Sequence, residues 1–90
     1  MEIEFDAAKR HATLLARKLD FKDAGKVFAG PTLTVEDDRM DYGEARYITI
    51  GRLSGRMVVL VWTPRGAARR IISMRKANGK EQALYGPRFR

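Results

Sequence analysis

The 90-residue chain contains no cysteine, which excludes a disulfide framework and any thiolate metal site. Its one histidine, His11, makes an imidazole-based zinc centre unexpected as well. No segment approaches the ~20 apolar residues of a membrane-spanning helix. An N-terminus carrying Glu2, Glu4 and Asp6 also lacks the basic and apolar regions of a secretory signal. Internal repeats and low-complexity tracts are missing. Acidic residues run out halfway: residues 45–90 hold only Glu81 against eleven Lys/Arg, a net of +10, whereas residues 1–44 hold ten acids against seven bases, a net of −3. These absences lead to the expectation of one small domain over residues 1–90, cytoplasmic, with no metal, no cofactor and no membrane contact.

What is present is positive charge, +7 overall, and nine of the eleven cations in the second half are arginines. A membrane-surface protein would set such charges on an amphipathic helix opposite bulky apolar residues, but this half reads as strands, so nucleic acid or an acidic protein is the expected partner. The densest stretch, Thr63 to Ala77, threads Arg65, Arg69, Arg70, Arg75 and Ser73 through an apolar run. Arginine offers a planar fork of donors that matches phosphate oxygens and stays charged at any relevant pH.

Periodicity outlines the elements. A helix is expected over Asp6 to Leu19, capped by Asp6, with Ala8, Ala12, Leu15 and Leu19 as its apolar stripe. A second runs from Phe21 to Phe28, with Asp20 as cap, Phe21, Ala24, Val27 and Phe28 inward, and Gly30-Pro31 as the stop. Strands are expected at Thr32–Glu36, Ala45–Arg52, Met57–Thr63 and Ala68–Arg75, with an acidic loop over 36–44 and turns at Ser54-Gly55 and Pro64–Gly66. A helix capped by Asn78 follows at Gly79–Tyr85, before a frayed tail over 86–90. The expected fold is therefore α+β: N-terminal helices packed on a four-stranded, mainly antiparallel sheet, with a short C-terminal helix. Parallel pairing is not expected, because it needs long crossovers. Strict alternation would place Arg69, Ile71, Ser73 and Arg75 on one face and Arg70, Ile72 and Met74 on the other, unless a bulge intervenes.

One spacing is recognisable: Asp41-Tyr42-Gly43-Glu44-x-Arg46, Ile50-Gly51, Thr63-x-Arg65-Gly66, then Arg70-Ile71-Ile72-Ser73-x-Arg75-x-Ala77 with Glu81 and Tyr85 beyond. It resembles the BrnT-type toxins of bacterial toxin–antitoxin systems. Asp6, Lys9, Phe21, Ala24 and Val27-Phe28 extend the likeness to the N-terminus. The resemblance implies a RelE-like fold, metal-independent ribonuclease activity, an RNA substrate and neutralisation by a ribbon-helix-helix antitoxin of the BrnA kind. Operator DNA would be contacted only through that antitoxin. Where the family commonly reads Asn-x-x-Lys-His-Gly before its second helix, this chain has Thr13 to Lys18, so Arg17 stands at the histidine position. Arginine binds phosphate there but exchanges no proton near neutrality.

The candidate catalytic residues are Glu44, Arg46, Arg65, Arg70 and Arg75. Arg65 is expected to clamp phosphate, the family motif favours Arg70 and Arg75, and Glu44 is the best carboxylate base, although it could simply pair with Arg46. Lys9, Arg17, Arg69, Ser73, Lys76 and Tyr85 are the candidate RNA-binding residues. Tyr85 could donate to the leaving group but reads more readily as core, His11 could shuttle a proton but reads more readily as an exposed helical residue, and Trp62 reads as core, whereas Tyr42 and Tyr47 could stack on bases. Two rival readings share the basic sheet: a noncatalytic nucleic-acid-binding module, and an inactive toxin kept as an interaction protein.

Overall fold

In the computed structural model, which describes residues 1–89, eight regular elements form around one sheet. The strands are β1 (Glu2–Phe5), β2 (Leu33–Glu36), β3 (Tyr47–Leu53), β4 (Arg56–Arg65) and β5 (Ala68–Lys76). The helices are α1 (Ala7–Arg17), α2 (Ala24–Ala29) and α3 (Gly79–Tyr85). Spatial order is β1-β5-β4-β3-β2, with β4 at the centre as its almost continuous apolar run demands.

The α+β architecture is as expected, but the sheet has five strands rather than four. Glu2–Phe5 pairs with Ala68–Ile71, and this pairing is parallel. The connection that parallel strands require is nearly the whole chain between them. Ile3 and Phe5 face the helices while Glu4 faces the other way, so β1 is a half-buried edge strand of strict period two.

The two faces of the sheet are covered unequally. Phe21, Ala24 and Val27 pack on Val58, Leu60, Trp62, Ile71 and Met74 to make the main core. Gly51 permits this contact, because a Cβ there would lie 2.7 Å from Val27 Cγ1. On the opposite face Tyr85 and Phe89 pack on Ile50, Met57, Val59 and Ala77 at one end only. The tail expected to fray is a 3₁₀ turn at Gly86–Phe89; Arg90 lies outside the described residues.

Several boundaries follow from local chemistry. Asp6 Oδ2 accepts from the Lys9 amide, and Asn78 with Glu81 forms a reciprocal capping box on α3. Ser54 and Gly55 both have positive φ, 51° and 78°, as a tight two-residue hairpin needs. Pro64 and Arg65, expected in a turn, remain in β4 opposite Arg69 and Ala68, and the turn falls on Gly66-Ala67. Of the stripe expected on the first helix only Leu19, just beyond α1, joins the main core; Ala8, Ala12 and Leu15 are corrected to exposed positions, Leu15 at 70%, and no residue within α1 is buried. The helix is instead held by polar contacts, a two-pronged Arg10–Asp20 pair at 2.8 Å and a bond from Arg17 Nη1 to the Met74 carbonyl at 2.9 Å.

Candidate functional site

The arrangement of the arginines turns on one irregularity. Val61 is opposite Ser73 and Trp62 is opposite Ile71, so Ile72 is an extra residue, a β-bulge. Residues directly opposite share a face. Before the bulge Ile71 lies with Trp62 under the helices and Arg70 lies with Thr63 on the other side; after it Met74 returns to the helices with Leu60, and Arg75 faces out with Val59. Strict alternation is thus overturned: Arg70, Ser73 and Arg75 share the face away from α1 and α2, and Arg69 does not.

At the N-terminal end of β5 this face gathers four of the five candidate catalytic residues. Glu44 bridges two arginines, with Oε2 3.4 Å from Arg46 Nε and Oε1 3.6 Å from Arg65 Nη2. Thr63, in register with Arg70, donates its hydroxyl to the Ala45 carbonyl at 2.6 Å and so pins the Glu44–Arg46 segment beside β4. Arg70 Nη1 meets Glu4 Oε1 at 3.0 Å. Arg46 also lies over the Tyr42 ring, 4.1 Å from its centroid. These guanidinium groups are partly solvent-exposed, so each carboxylate contact is exchangeable rather than locked.

Arg75 stands apart. It is opposite Val59, four residues from Thr63 on β4, or about 13 Å at ~3.3 Å per strand residue. It makes a two-pronged pair with Glu81 at 2.7 and 2.9 Å. The Arg75 hydrogen bond, aided by the Asn78 amide, holds the Glu81 carboxyl down at about 2. Glu81 therefore ties α3 to the sheet as well as capping it.

The candidate RNA-binding residues fall into three places. Lys9, Arg17 and Ser73 line a hollow of about 290 Å³ between α1 and the edge of β5. Arg17 also lines, with Arg75 and Lys76, an adjoining hollow of about 560 Å³. Arg69 lies on the helix-covered side, over Phe28 at 4.4 Å and Trp62 at 4.6 Å. Tyr85 packs in the second apolar cluster. Trp62 is core, its Nε1 donating to Thr49 Oγ1 at 2.8 Å, and Tyr47 stacks on it. His11 is exposed on α1. In the loop read as solvated, Asp37 is buried: Arg39 grips it at 2.7 and 2.8 Å and Tyr42 donates to it at 3.2 Å. The sequence reading overlooked Glu4, since nothing local links it to Arg70 across 66 positions; alternation of Glu with Ile and Phe in Glu2–Phe5 was the available sign of a strand.

Among the described residues no group of three or more His, Cys, Asp or Glu could hold a metal ion. The ligands on offer are cationic forks, suited to phosphate. Residues 5–81 match the profile of a family described as the ribonuclease toxin, BrnT, of type II toxin–antitoxin systems. The chain belongs to the BrnT family. Comparison with curated proteins gave no match. Membership as a type II toxin implies a cognate antitoxin and an RNA substrate. The BrnT match ends at Glu81, so it takes in the Glu44–Arg46–Arg65–Arg70 group, the Ile72 bulge and the Arg75–Glu81 pair. No helix among the described residues is long and apolar enough to cross a membrane.

Proposed function

We propose that the Glu44–Arg46–Arg65–Arg70 group is the RNA-cleaving centre and that it works without a metal, by attack of a ribose 2′-hydroxyl on the adjacent phosphate. The observation that carries this reading is the Ile72 bulge, which sets Arg70 and Arg75 on the sheet face that Arg65 and Glu44 also reach. Such a reaction needs a proton acceptor for the 2′-hydroxyl, a donor for the leaving 5′-oxygen, and fixed positive charge around the phosphorane. Arg65 and Arg70 supply the charge, exchanging their carboxylate partners for phosphate oxygens. Glu44, oriented by Arg46, takes the 2′-hydroxyl proton as the 2′-oxygen bonds to phosphorus, and the 5′-oxygen leaves with the P–O5′ bond, taking its proton from solvent at this partly exposed face. Arg75, about 13 Å along the strand, holds a neighbouring phosphate.

The antitoxin is read, on the family likeness alone, as a ribbon-helix-helix protein of the BrnA kind. It would cover the arginine face and carry the pair to operator DNA. Half-exposed Val35, in register with Ile48 on the same face, gives such a partner an apolar foothold.

The decisive comparison is between Arg70→Ala and Glu4→Gln on a single-stranded RNA. Loss of a fixed cation at the developing charge should lower kcat about 100- to 1000-fold, whereas removing the carboxylate that competes with phosphate should leave kcat intact or raise it. Cleavage by Arg70→Ala at the wild-type rate would overturn the assignment.

A further inference from the structure

The cations divide into two populations. Arg10, Lys26, Arg39, Arg46, Arg65, Arg70 and Arg75 all meet carboxylates. The other described cations have no carboxylate within salt-bridge distance, and three of them, Lys18, Arg56 and Lys76, occur together. Lys18 and Lys76 line both the 560 Å³ hollow beside α1 and a second of about 430 Å³, which Arg56 also lines. The one acid in the second hollow, Asp23, is engaged by Lys26 at 3.3 Å.

Their placement follows from the topology. β1 covers β5 only over Ala68–Ile71, so the strand edge beyond is open apart from α1, which Arg17 fastens to the Met74 carbonyl. Arg75 and Lys76 straddle that edge, Arg75 facing out beside Val59 and Lys76 lying beside Val58 on the helix side. Arg56, opposite Leu53, lies on the helix side too. Lys18 ends α1 in the left-handed region, φ 58° and ψ 35°, where a lysine is strained and a glycine would not be. A chain of phosphates leaving Arg75 thus meets Lys76, Lys18 and Arg56 in succession.

We propose that Lys18, Arg56 and Lys76 form a phosphate track for the single-stranded RNA that flanks the cleaved bond, running over the free edge of β5 to the end of the β3–β4 hairpin. The track rests on the ribonuclease reading for its purpose but not for its charge. Broad open hollows lined by unpaired cations suit a sugar–phosphate backbone, which needs charge at intervals rather than shaped side-chain pockets.

The test is the double variant Lys18→Gly, Arg56→Gln, with a melting curve confirming its fold; glycine at position 18 relieves the backbone strain there. Kd for a long RNA is measured against salt, and cleavage kinetics on that RNA against a dinucleotide. For the long RNA, KM should rise with kcat unchanged, and the slope of log Kd against log salt should fall by about 1.4, at ~0.7 for each of two released phosphate contacts. The dinucleotide should be cut as by wild type. An unchanged slope and KM on long RNA would overturn the track, as would a folded variant that loses affinity for the antitoxin and not for RNA. Wild type that binds with the steeper slope yet cuts nothing would sink the ribonuclease reading and leave the track standing.

Discussion

Asp37 shows how far a single residue can depart from its local sequence. It lies in the most acidic stretch of the chain, yet it is 4% exposed, and hydrogen bonds from Arg39 and Tyr42 hold its carboxyl down at about 2 against an ordinary 3.8. A carboxyl depressed on folding stabilises the fold above its unfolded value and loses that contribution as pH falls through the folded one. Asp37→Asn should therefore melt below wild type at neutral pH, and the gap should close as pH drops from 3.8 towards 2. A gap independent of pH would contradict the pairing. Trp62 as core was legible from its apolar strand, and Asp6 and Asn78 as caps were legible from their positions before helical periods. The Arg70–Glu4 pair was not, because a contact across 66 positions exists only once β1 docks on β5.

At the level of elements, turn chemistry was readable and strand register was not. Ser54-Gly55 announces a hairpin, and both residues adopt positive φ. Because the first position of such a turn favours asparagine, Ser54→Asn should add roughly 0.5–1 kcal/mol of stability. A urea midpoint that rises with unchanged m-value would show this; a lowered midpoint would mean that the turn is not of this type. Bulge position, by contrast, depends on what β5 must satisfy on both sides. Ile71 and Met74 both belong under the helices, and three residues apart they can do so only with an extra residue between them. The stripe on α1 misled because that helix sits at the sheet edge, where Arg10 and Arg17 anchor it and Leu15 is left outside. β1 was missed because four residues give little periodicity and its partner is the last strand.

Seen whole, the acidic and basic halves are interleaved. Glu4 from the acidic half neutralises Arg70, and Glu44 serves Arg46 and Arg65, so the arginines of the proposed centre are held in place by partly exposed carboxylate contacts. On the proposed reading, the net +7 acts mainly through the cations left unpaired, which attract RNA at a distance, while the paired arginines act at contact. The most direct test of the account is incubation of the purified chain with RNA in excess EDTA, followed by analysis of the new termini. Fragments ending in 2′,3′-cyclic phosphate, with 5′-hydroxyl partners and lost in Arg65→Ala and Arg70→Ala, are the expected result. Cleavage that EDTA abolishes, or that leaves 5′-phosphates, would contradict a metal-free arginine centre.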